Sequence, residues 1–251
     1  MISLQKLSTF TRAQAFAAHL GFSIALILTV FCIIRFVWYP DVLFSLANGK
    51  DILLILSGVD VVLGPLIMLV IFNPKKKSLK FDVGAVLVCQ IAFMAYGCWT
   101  VYAARPVYIA FNNSYFGLAT ASEVDPKDQQ KASLKSLSTM PLFGPEFVGS
   151  IMPADQKEKD RIVFLSGVGL GIQHLPQYFT ELEKQKAALI AAAHPAQDFD
   201  KLEADYQAKL RAFESEARAN GKEVGFVPLQ HHSAGAFVAV DKGTGKPIKT
   251  L

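Results

Sequence analysis

The chain has 251 residues, of which 52% are hydrophobic and 18% charged. Soluble domains carry about 25% charged residues, so this composition points to a membrane protein. The net charge of +4 does not mark a nucleic-acid surface. All of it lies in the apolar first part, where residues 1–104 hold 8 Lys/Arg against 4 Asp/Glu, while residues 105–251 hold 17 of each.

In chain order, a cytoplasmic segment 1–15 is expected first, followed by a three-helix transmembrane region 16–104. Its spans are about 16–38, 51–72 and 83–104, each long enough to cross about 30 Å of hydrocarbon. The connection 73–82 carries Lys75, Lys76, Lys77 and Lys80. These lysines determine topology, because cytoplasmic loops are enriched in Lys and Arg. The N-terminus is then cytoplasmic and everything after the third span is outside. Trp38 and Tyr39 at the end of the first span, with Trp99 and Tyr102 at the end of the third, read as an aromatic belt at the outer interface.

Residues 105–251 read as an outer α+β domain. Its own length is enough for a core, and all three cysteines (Cys32, Cys89, Cys98) lie in the apolar spans, so no disulfide framework supports it. Two β-rich runs, 107–111 and 115–121, flank Asn112-Asn113-Ser114 and predict a hairpin. A loop-rich stretch follows, with short helices over 126–138 and 154–166. Helices over 176–193 and 196–219 are expected to form an antiparallel hairpin. The second carries the one-faced stripe Phe199, Leu202, Tyr206, Leu210, Phe213. Strands 224–229, 236–240 and 247–251 complete the chain. The fold class is therefore membrane α plus α+β: three spans and an extracytoplasmic domain with a small antiparallel sheet and a helical hairpin insertion.

Asp60 is the most informative single residue. It lies about 13 Å below the outer end of its span, where an ionisable group is costly and demands a partner. Gly64 shares its face, Gly58 leaves room for close helix approach, and Pro65 frees the Val61 carbonyl and predicts a kink. Thr29, Gln90 and Tyr96 are the candidate polar partners at matching depth. One reading has Asp60 holding the three helices together. The other has Asp60, Gly58, Gly64 and Pro65 contacting a partner's transmembrane helix. A proton relay needs a second acid at depth, and the spans contain none.

Other motifs are weaker. Gly167-Val-Gly169-Leu-Gly171 lacks the third glycine and the preceding strand of a dinucleotide loop, and Gly243-Thr-Gly245-Lys246 reads as a hairpin turn. His231-His232 is expected to be an exposed pair, because adjacent residues beside a strand point to opposite faces. No catalytic residues, cofactor or metal are assigned.

Several runs carry a family resemblance: Phe36-Val37-Trp38-Tyr39-Pro40, Val59–Leu66 (VDVVLGPL), Phe72–Asp82 (FNPKKKSLKFD), Trp99-Thr100-Val101-Tyr102 with Ala104-Arg105-Pro106, Pro141-Leu142-Phe143-Gly144-Pro145, and Leu175-Pro176-Gln177-Tyr178. With these runs the chain resembles the type IV pilin accessory proteins of the TfpX/TfpZ type. The resemblance implies a non-enzymatic bacterial inner-membrane protein with a periplasmic C-terminal domain. It implies a role in binding or stabilising a specific major type IV pilin, through its membrane helix and possibly its globular head, and in promoting its assembly. The lipid bilayer is the other partner. The competing reading is a transmembrane sensor or regulatory protein with an extracytoplasmic ligand- or protein-binding domain.

Overall fold

The computed structural model describes residues 11–47 and 49–251. Residues 1–10 of the expected cytoplasmic segment lie outside the described residues. The chain divides into two compact units: Met1–Phe36 with Asn48–Tyr102, and Val37–Ala47 with Ala103–Leu251.

In the first unit three helices are long and apolar enough to cross a membrane: Arg12–Trp38, Gly49–Ile71 and Leu79–Ala103. The first begins a turn earlier than expected, because Thr11 and Gln14 form a reciprocal capping box that satisfies two otherwise orphaned N–H groups. Its buried residues Ala15, His19, Ser23 and Ile27 recur every four positions. They form one stripe along a helix that is otherwise apolar all round. At one end of the unit Ala15, Met68, Phe72, Leu79 and Val83 pack together, and Arg12 Nε donates to the Phe72 carbonyl at 2.9 Å. Among the topology lysines, Lys76 pairs with Asp82 at 2.5 Å.

The second span is not a regular helix. Gly58–Leu63 is a π-helical segment, closed by the Gly64 N–H donating to the Val59 carbonyl. The kink expected at Pro65 therefore takes the form of a π-bulge one turn earlier. The wider i→i+5 ring absorbs the donor that proline lacks.

The second unit is built on a seven-stranded sheet: β1 (Pro106–Asn112), β2 (Tyr115–Thr120), β3 (Glu146–Ser150), β4 (Phe179–Thr180), β5 (Val224–His231), β6 (Ala234–Asp241) and β7 (Lys246–Thr250), in the order β4-β3-β1-β2-β5-β6-β7. The expected β1–β2 hairpin forms, with Asn113 in the left-handed turn position. The three C-terminal strands form an antiparallel meander. The small antiparallel sheet is corrected: β1–β3 and β2–β5 pair in parallel, so the sheet is mixed and joins both ends of the domain. Strand β3 sits directly after Pro145, in the stretch that read as loop.

The helical hairpin is also corrected. Only Lys186–Ala192 of the first expected helix is α-helical, and the second begins at Ala204. The two lie on opposite faces of the sheet. Leu189 and Ala193 pack with Val227, Leu229, Val238 and Val240, whereas Leu210 and Phe213 pack with Val224, Phe226, Phe237 and Ala239. The alternation of β5 and β6 separates these sets. The stripe Phe199–Phe213 is thus core. Between the two helices the chain crosses from one face to the other beside the start of β5. There His194 exchanges two backbone hydrogen bonds with Phe226, at 3.1 and 2.7 Å. The β2–β5 pairing begins only at Leu229, so His194 pairs with β5 ahead of it.

The segment Val37–Ala47 contributes Leu43 and Leu46 to the core on the helix Lys186–Ala192 face. Tyr39, read as part of the aromatic belt, is fully buried. Burial pushes its phenol pKa up, against the opposing pull of the Arg105 charge.

Candidate functional site

The polar residues of the first unit converge on Asp60. This side chain lies within the π-bulge and is only 3% exposed. Its Oδ2 is buried and lacks a hydrogen-bond partner among the described residues, as does Nε2 of His19. His19, Ser23, Asp60 and Gln90 line one cavity of about 470 Å³, whose remaining wall is apolar and includes Phe22, Leu26, Leu87 and Met94. Leaving two buried polar atoms without partners costs about 1–3 kcal/mol each. Such a site persists where something else is gained, and helical π-segments cluster at functional positions.

Gly64 is buried and holds Gln90 in place. A Cβ there would lie 1.8 Å from Gln90 Nε2 and 3.0 Å from His19 Nε2. The absent side chain is thus the space in which the Gln90 amide sits beside His19. Gln90 also lines a second cavity of about 220 Å³ with Val59, Leu63 and Phe93. Its amide therefore stands between two openings in the helix bundle.

Of the expected partners, Gln90 shares the Asp60 cavity. Tyr96 is 68% exposed, with its ring against Trp99 at 6.4 Å, and the Thr29 hydroxyl donates to the Ala25 carbonyl of its own helix at 2.9 Å. Pro65 is buried beside Gly64, and Gly58 has no neighbour within 4 Å of a would-be Cβ. His19 and Ser23 were not singled out from the sequence. The available signal was their four-residue spacing, continued by Ala15 and Ile27, on a helix with few other polar side chains. The site has donors, one carboxylate and an apolar wall. It can accept a polar group from another helix.

Across 234 residues, covering 92% of this chain and 91% of the other, the sequence is 26% identical to the fimbrial assembly protein, serogroup E1, of Dichelobacter nodosus. The chain is similar to a fimbrial assembly protein along nearly its whole length. A second, the serogroup I protein of the same organism, is 27% identical over 84% of this chain and 83% of its own. The protein of serogroups C1 and C2 is 33% identical over 81 residues, which is 32% of this chain and 62% of that one. These relatives support the type IV fimbrial assembly family to which the sequence runs pointed. No protein-family model matches the chain, and no solved structure matches it.

Proposed function

We propose that this chain is a non-catalytic accessory factor of type IV pilus biogenesis, which binds or stabilises a specific major pilin in the bacterial inner membrane and promotes its assembly. The alignment carries this reading. It runs through both units and covers about nine-tenths of each partner in the first relative, so the membrane helices and the sheet domain are both part of the likeness. The lysine connection 75–80 lies on the cytoplasmic side under the positive-inside rule. The N-terminus is then cytoplasmic and the sheet domain periplasmic.

The membrane unit supplies a physical means of engaging a helix. Asp60 Oδ2 is buried without a hydrogen-bond partner among the described residues, and it shares with His19, Ser23 and Gln90 a cavity whose remaining wall is apolar. A partner helix bearing one hydrogen-bond donor offsets the cost of that arrangement, while the surrounding apolar wall packs against its side chains. The test is deletion of the gene and complementation with this chain. We expect fewer surface pili by electron microscopy and less pilin by immunoblot, both restored by complementation. Unchanged pili and unchanged pilin overturn the proposal.

A further inference from the structure

The sheet unit contains a cluster of histidines around one carboxylate that the pilus reading does not use. Strand β5 ends at His231, and a two-residue turn, His232-Ser233, leads into β6. His232 has φ of 50°, a left-handed conformation that interrupts the strand alternation. The two rings therefore face each other, with centroids 4.4 Å apart, instead of pointing to opposite faces as the sequence suggested. Gly169 lies against His232, since a Cβ there would be 3.2 Å from Nδ1. The glycine-rich run 167–171 thereby acquires a role as the floor of this turn.

Glu123 reaches the pair from the segment after β2. Its Oε1 is 2.6 Å from His232 Nε2, and its Oε2 accepts from the Thr120 N–H and hydroxyl, both at 2.8 Å. Donor atoms of Glu123, His231 and His232 all lie within 4.8 Å of one another. His174 approaches from a third segment. It is 4% exposed, and its Nε2 is 3.4 Å from Glu123 Oε2 without a hydrogen-bond partner among the described residues. Its Nδ1 is 3.3 Å from the Gly171 carbonyl, so that nitrogen carries the proton. In a neutral ring Nε2 is then a lone pair facing a carboxylate oxygen. That contact is repulsive unless a positive charge, a proton or a metal cation, lies between them.

We propose that Glu123, His231 and His232 bind a divalent transition cation of the zinc class, with His174 as a fourth ligand or as the group that orients the carboxylate. One carboxylate with imidazoles is a donor set for such a metal, and the coordination distances are about 2.0–2.2 Å. Tetrahedral ligand atoms then sit about 3.3–3.5 Å apart, so the cluster adjusts by about an ångström. The cation would tie together three segments distant in sequence, as a structural clamp on one end of the sheet.

The test uses the full chain in detergent after exhaustive chelation. Zinc is titrated against a chromophoric competitor, and thermal unfolding is followed with and without zinc. We expect one equivalent bound per chain, at least a tenfold loss of affinity in His232→Ala and in His231→Asn, and no loss in His194→Ala, which lies elsewhere on the sheet. Zinc should raise the unfolding temperature of the unmodified chain and not that of His232→Ala. His232 is half exposed, and circular dichroism of His232→Ala without metal checks that it still folds. Absence of stoichiometric zinc binding, or binding indifferent to His232→Ala and His231→Asn, overturns the site. Binding without any change in unfolding temperature overturns the clamp.

Discussion

Gly225 lies in β5 directly against the segment that crosses between faces of the sheet, and Gly225→Ala is the sharpest test of that crossing. A Cβ there would lie 2.5 Å from the Ala193 carbonyl oxygen, 2.7 Å from its carbon and 2.8 Å from its Cβ. The first two are backbone atoms and cannot rotate away. Segment Ala193–Ala196 must retreat, and the two His194–Phe226 hydrogen bonds stretch with it. Overpacking of this kind costs about 1–3 kcal/mol, and each strained hydrogen bond gives up part of its net value of about 0.5–1.5 kcal/mol. The expected loss is therefore about 2–4 kcal/mol. At about 2–4 °C per kcal/mol for a chain of this size, the unfolding temperature in detergent falls by at least about 4 °C. Amide exchange at Phe226 should accelerate. Gly235→Ala is the control, because its nearest neighbour would be 3.9 Å away. Adding Ala193→Gly should not rescue Gly225→Ala, since it removes only the mildest of the three clashes. An unfolding temperature within a degree of the unmodified chain, with unchanged exchange at Phe226, refutes the reasoning.

Two further predictions concern the membrane unit. Asp60→Asn keeps a hydrogen-bonding side chain of the same shape and should retain pilus assembly, whereas Asp60→Leu should lose it. Normal abundance of Asp60→Leu with lost pilin crosslinking indicates partner contact, low abundance indicates structure, and full activity of Asp60→Leu refutes both. Replacing Lys75, Lys76, Lys77 and Lys80 by Gln removes the charge bias of the connection. A reporter fused to the C-terminus should then shift from a purely periplasmic to a mixed orientation, and an unchanged reporter sinks the topology argument.

Much of the membrane unit was legible because its signals are local. The length of each apolar run and the cost of burying Asp60 can be read from one segment at a time. The partners of Asp60 are not local. His19 enters the site through helix packing that a single span does not encode, and the π-bulge that holds Asp60 is closed by the Gly64 N–H reaching Val59. In the sheet unit the hairpin at Asn113 and the terminal meander follow from turn residues and alternation. The parallel pairings do not, because nothing adjacent to β2 in sequence names β5 as its neighbour. Likewise, the periodicity of Phe199–Phe213 reports a buried helix face but not which face of the sheet covers it. The alternation rule failed at His231-His232 because one left-handed residue resets the direction of every side chain after it.

The parallel pairing of β2 with β5 also sets a schedule. Phe116 pairs with Leu229, so β2 waits for roughly a hundred residues to be made before its outer edge is covered. At about 5–20 residues per second that interval is about 6–20 s. Throughout it the β1–β2 hairpin presents an unpaired strand edge, the kind of edge that recruits foreign strands. A nascent chain of this protein is therefore most exposed to misassociation between completion of the first hairpin and emergence of the final meander.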